Sequence, residues 1–201
     1  MSKVQRVKDI ASRAGEPFGK PRLHKTGVAR FLRPLFILAV MVVLSTLSVH
    51  AEPLRTVTAT VTKISDGDTV QAITPEGTKL KIRLYGIDAP ETPKGHKPGE
   101  PFGNASRNYL ASLVSQRSVK VEILDIDRYR RMVAILWLAE QNVNQEMIVA
   151  GMAEAYVEYL KNPYRAPFIQ AEQEAKAQGR GVWSQGSRYE RPSQFRKRMG
   201  G

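Results

Sequence analysis

The sequence predicts an α+β fold, mainly β, in which five strands close a small barrel that three helices cap. Two observations support this prediction. Alternating or continuous apolar runs typical of strands occur five times between residues 56 and 138. Helical spacing occurs once between the third and fourth strands and twice after the fifth. This order is typical of a closed barrel of the OB-fold type.

The first three predicted strands follow one another through tight turns. Residues 56–64 are β-branched and roughly alternating, and the turn 66–68 leads to a second strand at 69–73. The Pro-Glu-Gly turn 75–77 precedes a third strand at 79–87, in which apolar and basic residues alternate. These three strands are expected to form a meander.

The rest of the chain supplies two strands and three helices. Residues 90–101 are rich in Pro, Gly and Lys, which predicts a mobile loop. The run 132–138 is almost continuously apolar, as expected of a strand buried on both faces. In chain order we expect a helix at 104–116, strands at 119–123 and 132–138, and helices at 143–150 and 167–178.

The basic character of the chain lies at its two ends. The formal net charge is +12, and the chain has no cysteine, which excludes disulfides, thiolate metal sites and cysteine nucleophiles. Residues 1–51 hold nine Lys and Arg against two acids, and residues 188–201 hold five against one. Such charge favours a polyanionic partner, either nucleic acid or an anionic membrane surface. A hydrophobic fraction of 42% excludes a fully disordered chain.

The N-terminal segment has the order of an export signal. A basic stretch is followed by the uncharged run 35–47 and by small residues that end at Ala51. We therefore predict a signal peptide at 1–51, cleaved after Ala51, with an uncleaved membrane anchor as the alternative. The remaining chain is predicted to be one domain at 52–187 and a basic tail at 188–201. That tail is expected to be either solvated and disordered or a nonspecific contact for nucleic acid.

Four carboxylates cluster near the ends of the meander strands. They are Asp66, Asp68, Asp88 and Glu91, and paired strands can bring Asp68 and Asp88 together. Oxygen ligands without nearby His or Cys suit a hard cation such as Ca²⁺ or Mg²⁺. The alternative is a plain Asp-Gly-Asp turn with solvated acids.

Two arginines could complete a site for phosphate chemistry. Arg83 lies on the third predicted strand, five residues before Asp88 at the end of that strand, and Arg131 follows the turn that begins near Asp127. Guanidinium groups bind phosphate in a bidentate manner and stabilise the charge of a pentavalent transition state. Glu91 could then act as a general base on water.

Several separated motifs resemble those of the staphylococcal nuclease (thermonuclease) family. The two signature stretches are 65–70 and 82–92, and further matches lie at 127–131, 143–144 and 181–184. The resemblance runs from about residue 57 to residue 184. It implies an OB barrel with three helices and Ca²⁺-dependent cleavage of phosphodiester bonds in DNA and RNA, with little sequence preference.

The resemblance also implies roles for the acidic residues. Asp68 and Asp88 match the direct Ca²⁺ ligands, and Ala89 matches the position that supplies a backbone carbonyl. Asp66 matches a residue that reaches the ion through water. Glu91 matches the residue assigned as the general base.

By the same resemblance, Arg83 and Arg131 match the phosphate-binding pair. Tyr129 matches a tyrosine near the nucleotide, and one or both of Tyr156 and Tyr159 are expected to flank it, where stacking tolerates any base. The chain departs from the family where Ala89 replaces a threonine.

A second departure is Arg130, which replaces a glycine. Glycine permits backbone angles that arginine disfavours, so this change bears on the turn that aims Arg131. It leaves open which of Arg128, Arg130 and Arg131 contacts phosphate.

We therefore expect an exported, monomeric, Ca²⁺-dependent nuclease that acts on DNA and RNA and touches a membrane only through its N-terminal segment. Two other classes are considered. One is a noncatalytic OB-fold module that binds nucleic acid or protein, although such a module would typically lack the acids and arginines present in this chain. The other is a membrane-anchored scaffold, which requires an uncleaved signal.

Overall fold

The computed structural model describes residues 53–200, so the predicted export signal lies outside the described residues. The strands are β1 (Arg55–Asp66), β2 (Thr69–Ile73), β3 (Lys79–Leu84), β4 (Ile87–Asp88), β5 (Ser118–Ile126), β6 (Met132–Leu138), β7 (Gln141–Asn142) and β8 (Glu154–Ala155). The helices are α1 (Gly103–Val114), α2 (Val143–Val149), α3 (Arg165–Ala177) and α4 (Pro192–Arg198), with a 3₁₀ helix at Gly181–Arg188. Over residues 53–200, every helix is too short or too polar to cross a membrane.

Five strands close into a barrel, which confirms the predicted OB-type fold. β1 pairs with β2 and β5, β2 pairs with β3, and β5 pairs with β6, all antiparallel. The ring closes through a parallel pairing of β3 with β6, in which Arg83 lies opposite Val133 and Leu84 opposite Ala134. Closure leaves these strands without a free edge, and the alternating side chains point inward to fill the barrel. Fully buried members of this core include Val61, Val70, Ile82, Leu84, Val121, Ile135 and Leu136.

The third predicted strand ends earlier than its alternation indicates. β3 stops at Leu84, and Gly86 adopts φ +71°, a left-handed conformation that favours glycine. The chain then resumes as β4, where Ile87 lies opposite Ala155 and Asp88 opposite Glu154 in a separate two-stranded sheet. The prediction of one continuous strand over 79–87 is therefore wrong, and the kink moves the backbone of Asp88 out of the barrel sheet.

Two glycines let α1 approach the loops that carry the predicted site. A Cβ added at Gly67 would lie 1.8 Å from the Ser106 hydroxyl of α1. A Cβ added at Gly103 would lie 2.1 Å from the carbonyl oxygen of Glu91. The three predicted helices are confirmed as α1, α2 and α3, with ends that shift by up to two residues.

The C-terminal segment is folded against the domain, so the expectation of a solvated, disordered tail is wrong. Pro192 and Phe195 of α4 are buried, and Phe195 is only 7% exposed. The carboxylate of Glu154, 3% exposed, accepts hydrogen bonds from Tyr189 (2.8 Å) and from Nε of Arg191 (3.0 Å). Basic composition predicted solvation, but two buried apolar side chains and one buried carboxylate hold the segment against the domain.

Asn144 joins α2 to the barrel through a fully buried amide. Its side chain accepts a hydrogen bond from the Leu136 amide and donates to the carbonyl oxygens of Tyr85 and Ala134, each at 3.0 Å. We predict that Asn144→Ala lowers the free energy of unfolding by roughly 2–4 kcal/mol, because it leaves buried backbone groups unpaired. Urea denaturation of the purified protein measures this loss.

The matched control is Asn108→Ala on the exposed side of α1, for which we expect a change within about 0.5 kcal/mol. Equal effects of the two substitutions would contradict a structural role for the Asn144 amide.

Candidate active site

An open cleft of about 1080 Å³ lies where the turns of the barrel meet the C-terminal segment. It collects residues from the β1–β2 turn, β3, the loop after β4, the β5–β6 turn, the segment 156–161 and α4. Its charged and aromatic lining comprises Asp66, Asp68, Arg83, Tyr85, Glu91, Lys94, Asp125, Asp127, Arg128, Tyr129, Arg131, Tyr156, Glu158, Tyr159, Lys161 and Arg196.

Asp68 and Asp88 meet around a single guanidinium group. Arg83, on β3, forms an ion pair with Asp68 and lies 3.0 Å from the Asp88 carboxylate through Nη2. Asp68 is further held by hydrogen bonds from the Thr69 hydroxyl and from the Ala89 amide, each 2.9 Å. The turn after β1 and the kink after β3 thus bring the two carboxylates together.

The cluster holds its charges away from bulk water. Asp88 is fully buried, and burial raises the pKa of its carboxyl. For Arg83, burial alone would lower the pKa, but the carboxylates of Asp68 and Asp88 outweigh it and raise the pKa. A buried carboxylate of this kind requires positive charge beside it.

Asp66 faces the loop after β4 rather than the Arg83 cluster. It accepts a hydrogen bond from the Thr92 hydroxyl (2.5 Å) and pairs with Nζ of Lys94 (2.9 Å). Burial opposes ionisation of Asp66, but these hydrogen bonds outweigh it and lower the pKa. Among the described hydrogen bonds and ion pairs of Asp66, none joins it directly to Asp68 or Asp88.

Glu91 is positioned by two positively charged side chains and by hydrogen bonds of its backbone. One carboxylate oxygen lies 3.0 Å from Nζ of Lys94, and the other lies 3.1 Å from Nη1 of Arg196. Its amide donates to the Glu100 carboxylate (3.1 Å), and its carbonyl oxygen accepts from the Glu100 amide (2.9 Å). The side chain therefore lies at a defined point of the cleft, where it can accept a proton.

Arg131 lies on the opposite wall and is oriented by its own turn. Asp127 accepts from the Arg131 amide (2.9 Å) and from Arg131 Nε (2.7 Å). Arg130 adopts φ +62°, so the turn keeps the left-handed conformation at the position where the family pattern has glycine. Within the described chain, Arg131 pairs with Asp127 and not with the carboxylates near Arg83.

Three tyrosines present aromatic faces to the cleft. Tyr156 and Tyr159 pack edge to face with ring centroids 4.6 Å apart, and Tyr129 and Tyr159 are 61% and 60% exposed. The Tyr85 hydroxyl donates to the Tyr159 carbonyl oxygen (2.9 Å) and accepts from the Lys161 amide (2.8 Å). Tyr85 thereby fixes the segment that carries Tyr156 and Tyr159.

Three residues of the site were not predicted from the sequence. Lys94 and Glu100 lie in the Pro- and Gly-rich loop, where basic and acidic residues are usually solvated. Arg196 follows Glu91 by 105 residues. Local pattern could have drawn attention to Lys94 because it lies three residues after Glu91, but nothing local connects Arg196 to the site.

The donor chemistry fits the hard cation that the family resemblance implies. Within residues 53–200, no three His, Cys, Asp or Glu side chains are already arranged to hold a metal ion. However, Asp68 and Asp88 converge on positive charge, and the fully buried Asp88 is compensated by two guanidinium groups, those of Arg83 and Arg196. A Ca²⁺ ion held by these two carboxylates would take its other ligands from backbone oxygen and water.

Glu100 provides a pH-dependent contribution to stability. Burial raises the pKa of its carboxyl from 4.5 to about 7. The folded state thus binds this proton more tightly than the unfolded state, and the stabilisation is complete below pH 4.5 and lost as the pH rises through about 7. In the presence of chelator, the free energy of unfolding of the parent should fall between pH 5 and pH 8. We predict that this fall is smaller by roughly 1–3 kcal/mol in Glu100→Gln, which has no carboxyl group to titrate.

Urea denaturation at both pH values measures this change, and Glu140→Gln, at an exposed position, is the matched control. If the Glu100→Gln variant has the same pH dependence of unfolding free energy as the parent, Glu100 is not the group responsible.

Comparison with known proteins agrees with the fold. The profile described as staphylococcal nuclease homologue matches residues 81–185. An uncharacterized endonuclease of Haemophilus influenzae is 39% identical over 70% of this chain and 73% of its own length. A thermonuclease of Staphylococcus intermedius is 31% identical over 61% of this chain and 74% of its own. A micrococcal nuclease of Shigella flexneri is 35% identical over 62% of this chain and 72% of its own. The chain therefore belongs to the staphylococcal nuclease family and is a nuclease that hydrolyses phosphodiester bonds.

Proposed function

We propose that this nuclease depends on Ca²⁺ and cleaves both DNA and RNA with little sequence preference. The observation that carries the proposal is that Asp68, Arg83 and Glu91 line one open cleft and that the buried Asp88 lies directly behind them, paired with Arg83. Hard oxygen donors for a cation, a guanidinium for phosphate and a carboxylate for water are the groups that phosphodiester hydrolysis requires.

Each residue has a distinct task in the proposed reaction. Glu91 accepts the proton of the attacking water, and Arg83 and Arg131 bind the phosphate and stabilise the negative charge that grows on it. Asp68 and Asp88 would hold the cation directly, the Ala89 backbone carbonyl would add a ligand, and Asp66 would reach the ion through water. When bound, Ca²⁺ supplies positive charge that polarises the phosphate.

The walls of the cleft support binding without sequence preference. Tyr129, Tyr156 and Tyr159 offer ring faces, which stack on any base. Arg128 and Arg131 face the same space, where they can contact the backbone phosphates. Because the cleft is formed within a single chain, we propose that the enzyme acts as a monomer.

Calcium dependence is tested with purified residues 52–201, plasmid DNA and a structured RNA. We expect both substrates to be cut with added Ca²⁺ and neither to be cut with excess chelator, because the carboxylate cluster then lacks its cation. Agarose and denaturing gels follow the reaction. Cleavage that is indifferent to chelation would refute the proposal.

Single substitutions test the two central side chains. Glu91→Gln and Arg83→Ala should each lower kcat by roughly 10²–10⁴-fold, since one removes the proton acceptor and the other a transition-state contact. Glu140→Gln and Arg117→Ala carry the same changes at exposed positions and should keep the parent rate. Circular dichroism confirms that each variant is folded.

We also propose that the enzyme is exported. The support is the order of basic, apolar and small residues in segment 1–51. N-terminal sequencing of the protein released by the producing cell should find Glu52 as its first residue. Recovery of the intact segment 1–51 in membranes would instead establish the anchored form.

A further inference from the structure

The C-terminal helix α4 places the positively charged side chain of Arg196 against two carboxylates of the active site. Nη2 of Arg196 lies 2.8 Å from one oxygen of Asp88, and Nη1 lies 3.0 Å from the other. The same Nη1 lies 3.1 Å from a carboxylate oxygen of Glu91. One guanidinium therefore engages both oxygens of a proposed metal ligand and one oxygen of the proposed general base.

The helix that carries Arg196 is packed against the domain rather than extended into solvent. Phe195, the residue before Arg196, is 7% exposed, and Tyr189 and Arg191 are bonded to the buried Glu154. Burial is the largest influence and would lower the pKa of Arg196, but the hydrogen bonds and negative charges of Asp88 and Glu91 together outweigh it and raise that pKa. The side chain of Arg196 is thus held by Asp88 and Glu91, and its helix is held by the buried Phe195 and by the bonds to Glu154.

We propose that α4 is an autoinhibitory element in which Arg196 occupies the carboxylates needed by the cation and by the attacking water. This proposal rests on the proposed Ca²⁺-dependent function. The divalent cation and Arg196 compete for Asp88, so the enzyme is closed until the cation displaces the guanidinium.

Charge balance and access both support this competition. Four carboxylates (Asp66, Asp68, Asp88 and Glu91) face three cationic groups (Arg83, Lys94 and Arg196), which leaves a formal charge of −1. Departure of Arg196 leaves −2, the charge that one divalent cation neutralises. Asp88 is fully buried and both of its carboxylate oxygens contact Arg196, so a cation that binds these oxygens has to displace that contact.

Competition lowers the apparent affinity for the cation. A ligand that binds only the open state has an apparent dissociation constant raised by the inverse of the open fraction. The contacts of Arg196 are charge-assisted hydrogen bonds, which are about twice as strong as neutral ones. We expect their removal to tighten Ca²⁺ binding by roughly tenfold or more.

The experiment measures Ca²⁺ binding by isothermal titration calorimetry in purified residues 52–201, which include α4, together with the Ca²⁺ concentration for half-maximal cleavage. Arg196→Ala should bind Ca²⁺ roughly tenfold or more tightly, and its half-maximal concentration should fall in parallel. Arg196→Lys, which cannot form the bidentate contact, should lie between this variant and the parent. Arg198→Ala is the matched control, because Arg198 lies on the same helix but pairs with Glu190.

The outcomes separate this inference from the function on which it rests. Arg196→Ala with unchanged Ca²⁺ affinity and normal cleavage would overturn the inference alone. A collapse of kcat with unchanged affinity would also overturn it and would make Arg196 a phosphate ligand. Absence of Ca²⁺ binding and of cleavage in the parent and in both Arg196 variants would overturn the proposed calcium dependence and the inference together. Circular dichroism and thermal unfolding establish that the variants retain the fold.

Discussion

The parallel pairing of β3 with β6 is the constraint on which the rest of the molecule depends. It closes the barrel, and Ile82, Arg83 and Leu84 lie opposite Met132, Val133 and Ala134. Arg83 is carried by one partner strand, while Arg131 immediately precedes the other. Residues separated by almost fifty positions are thereby held on the walls of one cleft, on a scaffold whose interior is apolar and close-packed.

Buried charge is the second organising feature. A carboxylate as inaccessible as that of Asp88 is strongly disfavoured unless positive charge lies beside it, and in this molecule two guanidinium groups do so. Under the proposed calcium dependence, a divalent cation would take the place of one of these guanidinium groups. The ion pair that stabilises buried Asp88 would then oppose binding of the cation at the same carboxylate.

The fold was largely predictable because its signals are local. Alternating apolar residues placed the barrel strands, and helical spacing placed α1, α2 and α3. The predictions failed where tertiary contacts decide the outcome. Gly86 ends β3 because the following residues pair with β8, and α4 is ordered because Phe195 and Glu154 hold the segment that carries it. Neither partner is close in sequence, so composition alone favoured a longer strand and a solvated tail.

The sequence by itself determined the fold class and the clustered acids and arginines of the candidate site, because periodicity and residue spacing are local properties of the chain. Resemblance to the family added Ala89 and the tyrosines, and Lys94, Glu100 and Arg196 were missed. It also pointed to the family, whose nuclease activity the comparisons bear out. Only the tertiary structure decided which charges touch. It placed Asp68 and Asp88 on one guanidinium, turned Asp66 toward Lys94, and kept Arg131 with Asp127. It also brought Arg196 across 108 residues to Asp88. Coulomb interactions depend on the distance between charges in space, and the sequence indicates that distance only for residues that are close together along the chain.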